Sequence, residues 1–344
     1  VLALVRALGD AGKDSGPELV QRLIAPSDWL EAIEHLPLGF RPAPFRSFLD
    51  VATRRRVADE LAVFRPDLLV LWGAEAAKAV ERPRGEDKAV RLGVVMSYEE
   101  VAAFAHAGAR RLVAPTVDLA DWAREAGWPE REVGALAPVV LEPAVAPLLR
   151  QRWDTPPEVA LLAVPASDAA GSALALDALS RLPDDIWMWL VPPTAKTRRL
   201  KRRLRKLGVH GRVRLVDDPS LAAAGADLAL VARVDDPIGL PVVACWAAER
   251  AVVAYAAPGP AALIRHDRDG LLIAPDDPLH LADLLARLFA DPLRCDRLAA
   301  AGRAVYDRDF AANRAADRWE LMLQTLAGPP KTAQRGEAGT DIRV

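Results

Sequence analysis

The chain has little of what most enzyme chemistries are built on. Its five histidines are scattered, and none stands at metal-ligand spacing. No G-x-S-x-G, P-loop, Cys-x-x-Cys or complete G-x-G-x-x-G pattern occurs, so those chemistries are not signalled. The two cysteines, Cys245 and Cys295, lie far apart in Ala/Leu-rich segments. Buried thiols in a reducing compartment fit them better than a disulfide framework. No run of eighteen apolar residues marks a membrane-spanning helix, and no signal-peptide pattern is read. The formal net charge of -2 implies no global attraction to nucleic acid. No short internal repeat is present.

What the chain does have is apolar residues, at 51% of 344, and βαβ alternation. That length and composition predict two cores rather than one. The expected class is α/β with two Rossmann-like domains facing across a cleft. Residues 1–140 are expected to form the first domain, 141–158 a linker, 159–310 the second domain, and 311–328 a helix returning to the first. Residues 329–344 read as a polar, disordered tail. Val1–Ala11 has helical spacing, Leu19–Ala25 reads as a strand, and residues 26–50 read as irregular. A doubly wound domain normally opens on a strand, and that first strand is missing from this reading. Leu68–Trp72 is a continuous apolar run after Arg65-Pro66, as in a parallel strand buried on both faces. Ala89–Val95 and Ala109–Ala114 follow as strands. Val159–Val164 restarts the alternation after the proline-rich segment.

The segment from Val231 to Gly270 is the most informative. A short strand, Ala226–Ala232, meets Asp235, Asp236, Pro237 and Gly239, which break it. Pro241–Ala248 reads as a buried helix and Ala251–Ala257 as a strand. Pro258-Gly259-Pro260 reads as the turn that ends it, with a further helix over Ala261–His266. Strand ends leading through polar turns into helix N-termini are where open α/β sheets hold ligands. The free N–H groups and positive dipole end there suit phosphate.

These residues resemble the donor-binding segment of the retaining glycosyltransferases of family 4 (glycosyl transferases group 1), which have the two-Rossmann-domain GT-B architecture. Asp236-Pro237-Ile238-Gly239-Leu240 matches the first half of the family's Glu-x-Phe-Gly-Leu-x-x-x-Glu-Ala pattern. Ala244-Cys245-Trp246-Ala247-Ala248 matches the second half. Pro258-Gly259-Pro260-Ala261-Ala262 stands at its Gly-Gly-x-x-Glu turn. Asp269-Gly270-Leu271-Leu272-Ile273 and Pro275-Asp276-Asp277 follow in the family's order. Gly127-Trp128-Pro129 and the run Leu293–Phe310 match further family passages. The framework is kept, but the charged positions differ. Asp236, Ala244 and Ala262 stand where the family has glutamates. The loop Ala163–Gly171 has neither the Arg nor the Lys that neutralise the family's donor diphosphate. Met96-Ser97-Tyr98 stands where a histidine is usual.

The resemblance implies transfer of a sugar from a nucleotide-diphospho-sugar to a hydroxyl acceptor, in polysaccharide or glycolipid synthesis. It implies Asp236 as the catalytic acid, and Gly171, Gly239, Leu240, Gly259, Arg233 and Arg265 as donor contacts. Ser97 and Tyr98 fall on the acceptor side. The co-substrate is the nucleotide-sugar, and neither a cofactor nor a metal is expected. The expected partners are this donor and a glycan or lipid-linked acceptor, with no nucleic acid. A catalytically inactive binding or scaffold protein of the same architecture is the alternative, and a nucleotide-sugar epimerase is a third reading. Apart from the resemblance, Lys196–Gly208 carries eight basic residues around a stripe of Leu200, Leu204 and Leu207. It reads as a surface helix whose Arg198, Arg199, Lys201, Arg202 and Arg205 offer a patch for an anionic membrane surface. The expected place is cytoplasmic, with peripheral attachment to the inner membrane face.

Overall fold

The computed structural model describes residues 22–26, 41–45, 51–80, 89–143, 148–192, 197–275 and 277–327. The helix read at Val1–Ala11 and the tail beyond residue 328 lie outside them. Two strands, β1 (Arg22–Pro26) and β2 (Arg41–Phe45), pair in parallel as a sheet of their own. The stretch read as irregular therefore contains a strand. Its sequence RPAPF alternates proline with other residues, and proline hides strand character because it cannot donate to a ladder.

The next sheet has four parallel strands in sequence order: β3 (Leu68–Trp72), β4 (Val90–Val94), β5 (Arg111–Ala114) and β6 (Val133–Ala135). Helix α1 (Val51–Phe64) precedes β3. Helices α2 (Gly73–Ala79), α3 (Val101–His106) and α4 (Val117–Glu125) form the crossovers. Leu92, Val94, Phe104, Leu112, Leu119 and Ala120 are buried between these layers. The sheet is legible because its strands are short apolar runs rather than alternating ones, as burial on both faces demands.

A short helix, α5 (Leu149–Arg152), lies in the proline-rich segment. The larger sheet follows with six parallel strands in the order β12-β11-β10-β7-β8-β9. These are β7 (Ala160–Ser167), β8 (Ile186–Leu190), β9 (Val213–Leu215), β10 (Leu228–Ala232), β11 (Val252–Tyr255) and β12 (Leu271–Ile273). The chain first builds outward from β7 to β9, then returns to β10 on the other side of β7. The order reverses between β7 and β10, and a crevice forms at such a switch point.

Helices α6 (Ala169–Leu179), α7 (Thr197–Lys206), α8 (Pro219–Gly225), α9 (Leu240–Ala247) and α10 (Pro258–Leu263) connect these strands. Helix α11 (Pro278–Phe289) follows β12, then α12 (Pro292–Asp309) and α13 (Ala312–Ala327). Pro258-Gly259-Pro260 is thus the first turn of α10 rather than a turn before it. Proline loses nothing there, because the first N–H groups of a helix have no intrahelical acceptor.

Helix α13 packs on the first sheet, although it follows the second in sequence. Trp319 is 1% exposed and stacks on Trp72 of β3 with ring centroids 5.3 Å apart. Its Nε1–H donates to the Ala137 carbonyl at 3.1 Å. Tyr306 of α12 donates its hydroxyl to Val140 at 2.8 Å, so the chain's last helices also hold the connecting segment.

Candidate functional site

The segment after β10 is held tightly by its own polar groups. Asp236 is 4% exposed. Its Oδ1 accepts from the amides of Gly239 at 2.8 Å and Ile238 at 3.2 Å. Its carbonyl accepts from the Gly259 amide at 2.7 Å. Aspartate can fold back onto amides two and three residues ahead, in an Asx-type turn. The carboxylate therefore folds back onto the turn that leads into α9, where the sequence reading expects it to face a donor. Its second oxygen, Oδ2, is sealed from solvent and has no hydrogen-bond partner.

Gly239 and Gly259 are in direct contact. Gly239 has φ +76°, a left-handed conformation that favours glycine. A Cβ on Gly259 would lie 2.3 Å from the Gly239 nitrogen, so the starts of α9 and α10 touch through bare backbone. The same segment reaches the first sheet. Ile238 is buried in one cluster with Val57, Leu71, Val101, Phe104 and Leu119, and Leu240, Tyr98 and Trp122 pack against that cluster. Tyr98, read as acceptor-side, thus stands beside the residues that flank Asp236. Its ring meets Trp122 edge-on at 5.6 Å. Burial raises its hydroxyl pKa first, and the carboxylates of Asp118 and Asp235 add to that from the two facing units. Ser97 is half-buried in the loop after β4.

Gly171 lies in the first turn of α6, against the end of β10. A Cβ there would stand 1.6 Å from the Ala232 carbonyl oxygen. Asp168 caps this helix: its Oδ1 accepts from the Gly171 amide at 2.7 Å, and its Oδ2 from the Val234 amide at 2.9 Å. The sequence reading overlooked Asp168. An aspartate directly before the apolar helical run Ala169–Leu179 is the signal that would have found it.

The two cations expected at the donor side are engaged within the chain. The Arg233 guanidinium donates to the Asp235 carbonyl at 3.2 and 3.3 Å. Arg265 pairs with Asp269 at 3.2 Å, with its own side chain half exposed. The basic helix α7 stands elsewhere. Arg198, Arg199, Lys201, Arg202 and Arg205 are exposed while Leu200 and Leu204 are buried, and Arg203 pairs with Asp177. Helix α7 joins β8 to β9, on the side of β7 away from α9 and α10. Among the described residues, no group of three or more His, Cys, Asp or Glu could hold a metal, and no helix is long and apolar enough to cross a membrane.

Two wound parallel sheets, with helix starts of the second meeting the first, have the GT-B architecture. The fold matches that of the Anabaena protein Alr3699/HepE, solved with UDP and glucose, at TM-score 0.74 and 16% identity over 94% of this chain and 95% of that one. Sucrose-phosphate synthase from Thermosynechococcus elongatus matches at TM-score 0.73 and 16% identity, over 94% and 91% of the two chains. Residues 161–291 match the family model of glycosyl transferases group 1. In sequence, the chain is 26% identical over 274 residues to the lipopolysaccharide core biosynthesis glycosyltransferase LpsE of Rhizobium meliloti, covering 77% of each. The chain thus has the GT-B fold, and its residues 161–291 match the group 1 glycosyltransferases that the sequence resembles.

Proposed function

We propose that this glycosyltransferase moves a sugar from a nucleotide-diphospho-sugar to a hydroxyl of a glycan or lipid-linked acceptor in cell-envelope synthesis. The observation that carries the reading is the group 1 family match over residues 161–291, the sheet whose strand ends lead into α6, α9 and α10. Its relatives LpsE and LpsD are named for lipopolysaccharide core biosynthesis, which supports an envelope acceptor.

In this reading the anomeric C–O bond breaks, the diphosphate leaves with the bonding electrons, and the acceptor hydroxyl bonds to the anomeric carbon and passes its proton to the leaving diphosphate. Negative charge grows on the leaving oxygen and must be met by donors already in place. The main-chain amides near Gly239, Leu240 and Gly259 are candidates. Arg233 and Arg265 are the nearest in sequence of the side-chain cations; Arg233 would exchange an exposed bond to a carbonyl for a phosphate oxygen, and Arg265 its pairing with the buried Asp269. Asp236 would contact a donor hydroxyl only by turning its sealed, unpartnered Oδ2 toward the cleft. Ser97 and Tyr98 would lie on the acceptor side. The exposed face of α7 would hold the protein against an anionic membrane surface.

The inactive-scaffold reading keeps one specific support. The loop into α6 has no lysine or arginine, and Ala244 and Ala262 offer no hydrogen bond. The test is donor turnover: purified protein with UDP-, GDP- and ADP-sugars, and lipopolysaccharide core acceptors, with nucleotide release measured. Acceptor-dependent release with one donor supports transfer. No release and no calorimetric binding of any nucleotide, in a folded protein, would favour the scaffold.

A further inference from the structure

A carboxylate sits just past the C-terminal end of β7, where a donor's phosphates would be expected to lie. Asp168 lies between the end of β7 and the first turn of α6, beside the crevice where the strand order reverses. Both of its oxygens are taken by main-chain amides from two different elements, Gly171 of α6 at 2.7 Å and Val234 of the segment after β10 at 2.9 Å. The Gly171 amide is the kind of N–H group that binds phosphate at a helix start, and the Val234 amide lies in the loop beside it. Gly171 and Ala232 are pressed so close that a Cβ would meet the carbonyl oxygen at 1.6 Å. No side-chain cation pairs with Asp168 among the described residues, and Arg233 donates instead to the Asp235 carbonyl.

A second observation lies at the end of β11. Tyr255 is 1% exposed, and its hydroxyl is sealed with no hydrogen-bond partner. Burial raises the pKa of this phenol, and the negative charge of Asp168 raises it further, so the two groups share one electrostatic neighbourhood. An orphaned buried donor is costly unless something accepts from it. A carboxylate and an unsatisfied hydroxyl, at the ends of β7 and β11 on either side of β10, make a polar corner with an anion already built in.

We propose that Asp168 is an internal anion that fills the amide cradle at the start of α6 and sets the charge preference of the donor site. It disfavours a second phosphate there, so the chain gains little from the β-phosphate of a nucleoside diphosphate. This inference rests on the donor reading above, but it concerns one residue. It differs from a capping role alone: asparagine keeps the bond from Gly171 and caps a helix about as well as aspartate, while it removes the charge and, with an NH2 in place of one oxygen, the bond from Val234.

The experiment is isothermal titration of uridine, UMP, UDP and inorganic pyrophosphate into the wild-type chain, Asp168→Asn and Asp168→Ser. Asp277→Asn is the control, because Asp277 caps α11 in the same way with its Oδ1 accepting from Leu279 and His280 at 2.9 Å. In the wild type, UDP should bind no more than a few-fold tighter than UMP. In Asp168→Asn, UDP and pyrophosphate should tighten about tenfold as one uncompensated charge is removed at partly screened range. Uridine should not change, and Asp277→Asn should behave as wild type. Equal or weaker diphosphate binding in a folded Asp168→Asn chain overturns the inference, and so does an equal gain in Asp277→Asn. If pyrophosphate gains while no nucleoside binds any variant, the inference stands and the nucleotide-donor reading fails. If UDP already binds the wild type far tighter than UMP, and Asp168→Asn leaves that ratio unchanged, the donor reading stands and the inference fails.

Discussion

At Gly171 one absent methyl group decides whether two elements of the second sheet can meet. The Ala232 carbonyl occupies the place a Cβ would need, at 1.6 Å. The obstruction is backbone, so no flexible side chain can yield. Gly171→Ala should lower stability by roughly 3 kcal/mol, the upper end of overpacking costs, in urea unfolding. Gly134→Ala should stay within about 0.5 kcal/mol, since nothing lies within 4 Å of its Cβ. Similar losses in both would show that the contact between α6 and β10 is not decisive. Cys245 makes a second case at this scale. It is fully buried in α9, and burial pushes its thiol up to about 12. The unfolded thiol titrates near 8.5, so the unfolded chain binds fewer protons than the folded one above that pH. Its contribution is therefore whole below about pH 8.5 and falls as pH rises toward the folded value. Between pH 7 and 10, the wild type should lose about 2 kcal/mol more than Cys245→Ala. Parallel stability curves for the two would sink this account. In the folded chain at pH 8, Cys245 should also resist a thiol-reactive disulfide that labels it in denaturant.

Among the elements, α7 gives the clearest pairing of a buried stripe with an exposed charge face. Leu200 and Leu204 are fixed in the core with Val209 and Val213, while Arg198, Arg199, Lys201, Arg202 and Arg205 face solvent. If this face rests on anionic lipid, each cation contributes about 1 kcal/mol near the surface. Arg198→Glu, Arg202→Glu and Arg205→Glu together should then abolish sedimentation with phosphatidylglycerol vesicles at low salt. Phosphatidylcholine vesicles should bind neither form. Unchanged binding to phosphatidylglycerol would remove α7 from the attachment. The whole of this element could be read in the sequence, because three leucines at helical spacing among eight basic residues allow one orientation only. The starts of α9 and α10 were less legible. Pro258-Gly259-Pro260 has the composition of a turn, and it became the first turn of a helix because proline's missing N–H costs nothing there. Asp236 could be located by its place in the motif, but not its direction. The fold-back onto Gly239 depends on how the next three residues turn, and periodicity carries no trace of that.

On the scale of the whole molecule, the two sheets are joined by elements that cross from one to the other. Ile238 reaches from the second unit into the first unit's core, and Trp319 packs the C-terminal helix α13 against β3. Sequence order carries the two windings and the expectation of a returning helix at 311–328, but the crossing at Ile238 joins residues far apart in the chain and leaves only a single apolar residue as a signal. The two crossings make different predictions. Trp319 lies with Leu92, Val94 and Val113 of the first sheet, so Trp319→Ala should cost about 3 to 5 kcal/mol, the range for a buried large aromatic. The loss should fall on the first unit: its amides should lose hydrogen-exchange protection before those of β7 to β11. Ile238→Ala removes less volume and should cost about 2 to 4 kcal/mol by the same measure. Its larger effect should be on geometry, because Ile238 ties the Asp236 segment to the first sheet. Small-angle scattering should show a larger radius of gyration for Ile238→Ala, and the amides of Gly239 and Gly259 should exchange faster. A chain that keeps its radius and the protection of those two amides would mean that Ile238 fills space without holding the units together. The site would then have to be closed by the Gly239–Gly259 contact within the second unit alone.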